Sequence, residues 1–443
     1  MAPSSRTIEV AEVIDNRPVG GFQIRIFILC AVVVMLDGFD AQAIAFVAGP
    51  IARQFGMSVT SFGPIFGAGT LGLALGALVL PPFADRFGRR NLIILATLIF
   101  GVFSLATVWV NSFGGLALMR FLTGIGVGAA VPNVVPLTSE YSPKRIRAWL
   151  ITLVTVTWPL GAVLGGLISS KMVPVYGWQS VFYLGGITPL VMVVILLLWL
   201  PESIRFMVSR KADAKPTAAM LRHIAPNLEY SPGDRFVLAE ESLGGFSVRH
   251  LFTSGRAAVT VLLWTAFFMN FLLLFFIFNW LPTLMQQAGM PIDRAIIATV
   301  LFNLGGIVGG ILLGRLMDKY GNYLVLGIAY AFGTVFVGAI GFLGGQIPLL
   351  LTVTTLAGFC TVGTQAASNA LAASLYPTTV RSTGVGWAYG IGRIGSIVGP
   401  VVGGIFLTLH WGMRDLFLVA AIPLVCTTIV IVLLSRCRAA AGS

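Results

Sequence analysis

Charge is what this sequence has least of. Only 10% of its 443 residues are Asp, Glu, Lys or Arg, against roughly 25% in a soluble domain, which excludes an exterior that faces water all round. Histidine is scarcer still. His223 and His250 fall in a long polar stretch and His410 at the end of an apolar run, leaving no imidazole at mid-depth to relay a proton. The cysteines Cys30, Cys360, Cys426 and Cys437 are scattered without metal spacing, so neither a zinc site nor a disulfide framework is expected. Glycine-rich stretches lie inside apolar runs instead of after strands, the wrong context for a nucleotide-binding loop. With no nucleophile motif either, no enzyme and no cofactor are expected. Nor is a cleavable leader: the first 21 residues are polar, and the first apolar run is too long for a signal core.

What is present is apolar. Hydrophobic residues make up 57% of the chain and the mean hydropathy is +0.93. Apolar runs recur near residues 22–49, 61–84, 91–110, 113–138, 148–170, 180–200, 257–282, 295–316, 322–343, 347–374, 382–409 and 413–434, each near or above the roughly 20 residues an α-helix needs to span a bilayer. Barrel strands would be shorter and alternate in polarity. The expected fold class is therefore an all-α, multi-pass membrane protein of twelve transmembrane helices. An even number puts both termini on one side. That side collects Arg6, Arg17, Arg25, Arg86, Arg89, Arg90, Lys144, Arg145 and Arg147, whereas the other has only Arg53, Lys171, Arg294 and Arg414, so both termini are expected in the cytoplasm. The net charge of +12 reports this topology and anionic lipid headgroups, and nucleic acid is not an expected partner.

The polar segment 201–256 separates an expected N-terminal six-helix bundle, 1–200, from a C-terminal one with a short tail, 257–443, and reads as a cytoplasmic loop. Both sides carry the same punctuation. Asp85-Arg86-Phe87-Gly88-Arg89-Arg90 follows the second run, and Gly314-Arg315-Leu316-Met317-Asp318-Lys319-Tyr320-Gly321 follows the eighth. Pro143 and Arg147 after the fourth run correspond at nearly the same offset to Pro377 and Arg381 after the tenth, and Gly161 and Gly165 to Gly395 and Gly399. Two related halves are the pattern of a transporter that rocks one bundle against the other around a midplane site.

The repeated Asp-Arg-x-Gly-Arg-Arg loop resembles the signature of the major facilitator superfamily over the whole chain. One departure is Pro81, where that family usually has glycine; Gly314 fills the place in the second half. The resemblance implies gating by Asp85, Arg86, Gly88, Arg89, Arg147, Asp318, Gly321 and Arg381, the aspartates latching the halves through a helix terminus or basic residues. Asp37-Gly38-Phe39-Asp40, Asn279-Trp280-Leu281-Pro282-Thr283, and Pro132-Asn133 with Glu140-Tyr141 further resemble the aromatic acid:proton symporters, bacterial importers of 4-hydroxybenzoate-like carboxylates. That implies an inner-membrane location, a monomer, and a small aromatic carboxylate, protons and the lipid bilayer as partners.

Asp37 and Asp40 sit in the middle of the first run. A charge at mid-membrane costs roughly 3 kcal/mol on insertion scales, so such residues persist where they pair, titrate or line a polar path. Their i, i+3 spacing puts them on neighbouring positions of one helix face, with Gly38 between them admitting another helix. At 1.5 Å per residue, Asp40 and Arg120 come to similar depths from the outer surface, and are expected to pair. The similar arrangement in proton-coupled sugar porters implies proton coupling, to which the resemblance adds Glu140. Arg393, also near midplane, offers a planar fork for a carboxylate; Phe39, Trp158, Trp387 and Tyr389 are candidates to face an aromatic ring. Asn279, Gln365 and Asn369 are candidate cavity amides able to read a ring hydroxyl, and Asp37 is counted with both groups. The reading is a symporter importing an aromatic carboxylate by alternating access. Its alternatives are a sugar or polyol symporter, suggested by Pro201-Glu202-Ser203, and a membrane sensor that does not transport.

Overall fold

A computed structural model describes residues 7–209, 214–225, 235–237, 251–253, 256–343, 346–376 and 381–441. Within them are twelve helices long and apolar enough to cross a membrane: α1 Gly21–Gln54, α2 Val59–Phe83, α3 Arg89–Trp109, α4 Phe113–Glu140, α5 Arg147–Tyr176, α6 Gln179–Trp199, α7 Ala257–Gln287, α8 Ile292–Tyr320, α9 Asn322–Ile340, α10 Ile347–Ala372, α11 Thr383–Thr408 and α12 Met413–Cys437. Helices are what these apolar runs must form, because hydrocarbon offers no partner to an unpaired backbone group.

The halves repeat one packing scheme. In the first, α1 packs on α5, α2 on α4, and α3 on α4 and α6; in the second, α7 packs on α11, α8 on α10, and α9 on α10 and α12. Small residues permit the closest of these crossings. A side chain at Gly161 would overlap the Met35 carbonyl of α1, and one at Gly395 would overlap the Phe268 carbonyl of α7. The matched glycines do the same work in each half, since interfaces without a hydrophobic driving force depend on close backbone approach.

Packing between the halves runs through α5 with α8, α2 with α11, and α1 with α7. Its contacts gather toward the end of the bundle away from the termini. Gly63 near the start of α2 lies against Gly404 near the end of α11, and Gly166 in α5 faces Ile296 and Val300 early in α8. Deeper in, the Gln42 and Asn303 side chains exchange two hydrogen bonds across the halves, 3.2 and 3.0 Å, both residues fully buried.

Two local features depart from the simple reading. Pro81–Phe83 form a 3-10 turn at the end of α2, whereas α8 is regular to Tyr320; Pro81 and Pro82 remove the backbone donors that would have continued the helix. Part of the segment between the halves also has regular structure. It forms helices Ile204–Ser209 and Ala214–Ile224 and a strand, Arg235–Val237, that pairs in parallel with Thr7–Glu9. Leu221 is buried with Val10 and Ile14 of the N-terminal segment, and His223 stacks on Phe22 at 5.1 Å.

Replacing Gly161 by Val forces α1 from α5. The expected result is a loss of roughly 1–3 kcal/mol of packing and a drop in monodisperse protein on size-exclusion chromatography. Gly390→Ala, which meets nothing within 4 Å, is expected to leave that elution profile unchanged.

Candidate functional site

α1 and α4 run in opposite directions, and their charged residues meet. Arg120 Nη1 lies 3.5 Å from Asp40 Oδ2, with both side chains at most 4% exposed. Asp40 Oδ1 accepts from the Ser104 hydroxyl at 2.5 Å. The other side of the guanidinium donates to Thr107 at 2.9 Å and Thr123 at 3.2 Å, and the group sits 4.8 Å from the Phe182 ring centroid. Buried charges survive in such surroundings because attraction and hydrogen bonds offset desolvation. A cavity opens beside the pair, bounded by Phe66 and Thr70 of α2, Thr123 of α4, and Phe275 and Asn279 of α7.

A second polar cluster spans both halves. The Trp158 indole donates to Asp37 Oδ1 at 3.2 Å, and its ring lies 5.8 Å from Phe278 of α7. Across the interface Arg393 lies within electrostatic range of Asp37 and Tyr389, without an ion pair inside 4 Å among the described residues. Its guanidinium is 5.7 Å from the Phe271 ring, against which Tyr389 packs edge-on at 5.8 Å. Tyr389 faces Gln365 and Asn369, and Asn270 donates to Gln365.

Several sequence candidates fall elsewhere. Phe39 is buried against Gly165 and Gly185 inside the first half. Trp387 is 43% exposed and stacks on Trp264 at 5.8 Å, away from the Asp37–Arg393 cluster. Asn279 donates back to the Phe275 carbonyl at 2.7 Å and borders the Asp40–Arg120 cavity. Glu140 ends α4 and bonds Arg89, one of the expected gating residues, and Ser203, and so does not sit with Asp40. Sequence reading did not single out Ser104, Thr107 and Phe182 around Arg120; the only signal was hydroxyls one turn apart in the third apolar run.

At the terminus-bearing end, the loop glycines match. Gly88 has φ 87° and ψ 151°, and Gly321 has φ 88° and ψ 151°, each starting the next helix. Their surroundings differ. Glu202 covers Gly88 and accepts from the Arg90 backbone N–H at 3.0 Å, whereas nothing lies within 4 Å of a side chain built at Gly321. Arg147 donates to the Ser142 carbonyl and lies 3.9 Å from Asp15. Arg86 stands over the Phe87 ring, and Asp318 is exposed. The side chains of Asp85 and Arg381, and residues 377–380, lie outside what the structure describes.

The sequence profile of the Major Facilitator Superfamily matches residues 30–346 and 294–441, and the chain belongs to that superfamily of membrane transporters. It is 37% identical to the 4-hydroxybenzoate transporter PcaK of Pseudomonas putida, covering 96% of this chain and 95% of that one. It is 39% identical to a gallate transporter of the same species, covering 95% and 94%. Among solved structures, a bacterial homologue of the human lysosomal transporter Spinster superposes with a TM-score of 0.72 at 16% identity, covering 95% of this chain and 98% of that one. The xylose transporter XylE from E. coli gives 0.71 at 16%, covering 93% and 97%. These last two establish the fold.

Gly88→Ala meets both a left-handed backbone and the Glu202 carboxylate, whereas Gly321→Ala meets only the backbone. The expected outcome is a larger fall in transport rate for Gly88→Ala, compared in initial-rate assays normalised to protein amount. Equal rates for the two variants contradict the asymmetry.

Proposed function

We propose that this chain is a proton-coupled symporter that imports an aromatic carboxylate by alternating access to a mid-depth site between its halves. The observation that carries the reading is Arg393, a half-buried cation against the Phe271 ring with no protein carboxylate within 4 Å among the described residues. Arginine's fork matches a carboxylate in geometry and charge, and the rings of Phe271, Tyr389 and Trp158 offer edges and faces to an aromatic body. Relatives named for 4-hydroxybenzoate and gallate transport support that substrate class.

Proton coupling follows from the paired charges. Protonation of Asp40 removes the charge that holds Arg120, and protonation of Asp37 leaves Arg393 to the substrate anion. Each step changes which contacts are favourable, and only such differential interactions shift a two-state equilibrium. With the termini in the cytoplasm, inter-half packing away from them corresponds to an inward-facing state; the Gln42–Asn303 pair and the Gly63–Gly404 contact then part when the site opens outward. Asp85 and Asp318 act as latches of the opposite state. The reading includes an inner-membrane location, a monomer, and a division into 1–200 and 257–443 joined by 201–256.

The test is uptake of labelled 4-hydroxybenzoate into proteoliposomes, with empty liposomes as the control. Wild-type protein is expected to accumulate it only under an inward proton gradient, and Asp37→Asn and Asp40→Asn to lose accumulation while retaining more counterflow exchange. Undiminished accumulation in both variants removes the aspartates from the proton path. Arg393→Ala is expected to weaken binding of the acid by about 1.5–3 kcal/mol, the scale of a hydrogen bond to a charged group, and that of the corresponding amide much less. Equal losses in titrations of the two ligands make Arg393 structural.

A further inference from the structure

Most hydrogen-bonding groups buried in the second half are satisfied within their own helix: Thr354, Thr361, Thr364 and Thr427 donate to carbonyls four residues back. The amides beside Arg393 are not. Asn270, 1% exposed, uses its Nδ2 on Gln365 Oε1, leaving Asn270 Oδ1 and Gln365 Nε2 buried without partners; Asn369 Oδ1 is buried and unpaired as well. Two acceptors and one donor are thus gathered around Tyr389, whose hydroxyl is within hydrogen-bonding reach of the Gln365 and Asn369 side chains.

Resting on the aromatic-carboxylate reading above, we infer that Asn270, Gln365 and Asn369 select for acids whose ring carries a hydroxyl group distal to the carboxylate. Tyr389 and Arg393 are four residues apart on α11, a rise of about 6 Å, comparable with the distance across a benzene ring from a carboxylate to a para hydroxyl. A substrate whose carboxylate meets Arg393 over Phe271, with its ring lying along α11 toward Tyr389, brings its far edge to the amides. A phenolic hydroxyl both donates and accepts, so it satisfies one amide oxygen and the Gln365 Nε2 donor together. An unsubstituted ring satisfies neither and leaves them sealed away from water. Sites built to bond a hydroxyl reject the analogue that lacks it far more strongly than apolar pockets reject an added one. Interhelical glue accounts for the Asn270–Gln365 bond and for the contact of the Tyr389 hydroxyl with Gln365 and Asn369, and leaves the Asn270 and Asn369 amide oxygens without a role.

The experiment is equilibrium titration of the purified full-length protein with 4-hydroxybenzoate and with benzoate, for wild type, Asn270→Leu, Gln365→Met and Asn369→Leu. Measuring both acids on one preparation makes their affinity ratio independent of the folded fraction. Wild type is expected to favour 4-hydroxybenzoate, and the variants to lower that preference about tenfold, the factor that 1.4 kcal/mol represents. Asn369→Leu keeps the Asn270–Gln365 bond, so it reads the site even if losing that bond unfolds the protein. Wild type binding both acids equally, or variants keeping the wild-type ratio, overturns the inference and leaves the transport reading standing. Wild type binding neither acid removes the aromatic-carboxylate reading and the inference together.

Discussion

The structure depends on keeping the charges of Asp40 and Arg120 partnered deep inside the first half. Asp40 and Arg120 are both nearly inaccessible, and each has further hydrogen bonds, from Ser104 to the carboxylate and to Thr107 and Thr123 from the guanidinium. Breaking such a pair from one side leaves an uncompensated charge and costs roughly 3–5 kcal/mol. That requirement sets the register of α1 against α4 and draws in α3, which supplies Ser104 and Thr107. On the proton-coupled reading proposed above, the same constraint makes a titrating carboxylate an effective switch, because one proton changes which partner a buried arginine is free to hold.

The second organising feature is the unequal use of a repeated plan. Helix pairings recur half for half, and Gly88 and Gly321 share one backbone conformation. Around Gly88, however, the chain builds a network: Glu140 with Arg89 and Ser203, Glu202 with the Arg90 backbone, and the Tyr141 hydroxyl donating to the Glu202 carbonyl at 2.6 Å. The N-terminal segment joins it through Asp15, which lies 3.4 Å from Lys144. On the second half Asp318 is exposed and Gly314 faces open space. Among the described residues, the bracing network at this end belongs to the first half, whereas Asp318, an expected gating residue, is exposed on the second.

Much of this was legible because lipid imposes strict rules. Length and hydropathy gave the twelve helices, and counting residues by depth brought Asp40 to Arg120. Gly38 was read as a place for close helix approach, and a side chain there would overlap the Trp158 carbonyl. What escaped was whatever depended on which face of an all-apolar helix turns inward. Trp387 and Phe39 could not be told from cavity aromatics by composition, and nothing marked Gln42 and Asn303 as partners across the halves. Glu140 carried the right charge at the wrong depth, the last residue of α4. The strand pairing of Thr7–Glu9 with Arg235–Val237 joins short segments far apart in sequence, and so few residues give no periodicity to read.

The central claim is that substrate movement and proton movement are one event. It is tested most directly by adding 4-hydroxybenzoate outside proteoliposomes, with no imposed gradient, and recording external pH in a weakly buffered medium. The account predicts alkalinisation that requires the protein and disappears in Asp37→Asn while counterflow exchange persists. Protein-dependent uptake of the acid with no change in external pH would contradict it.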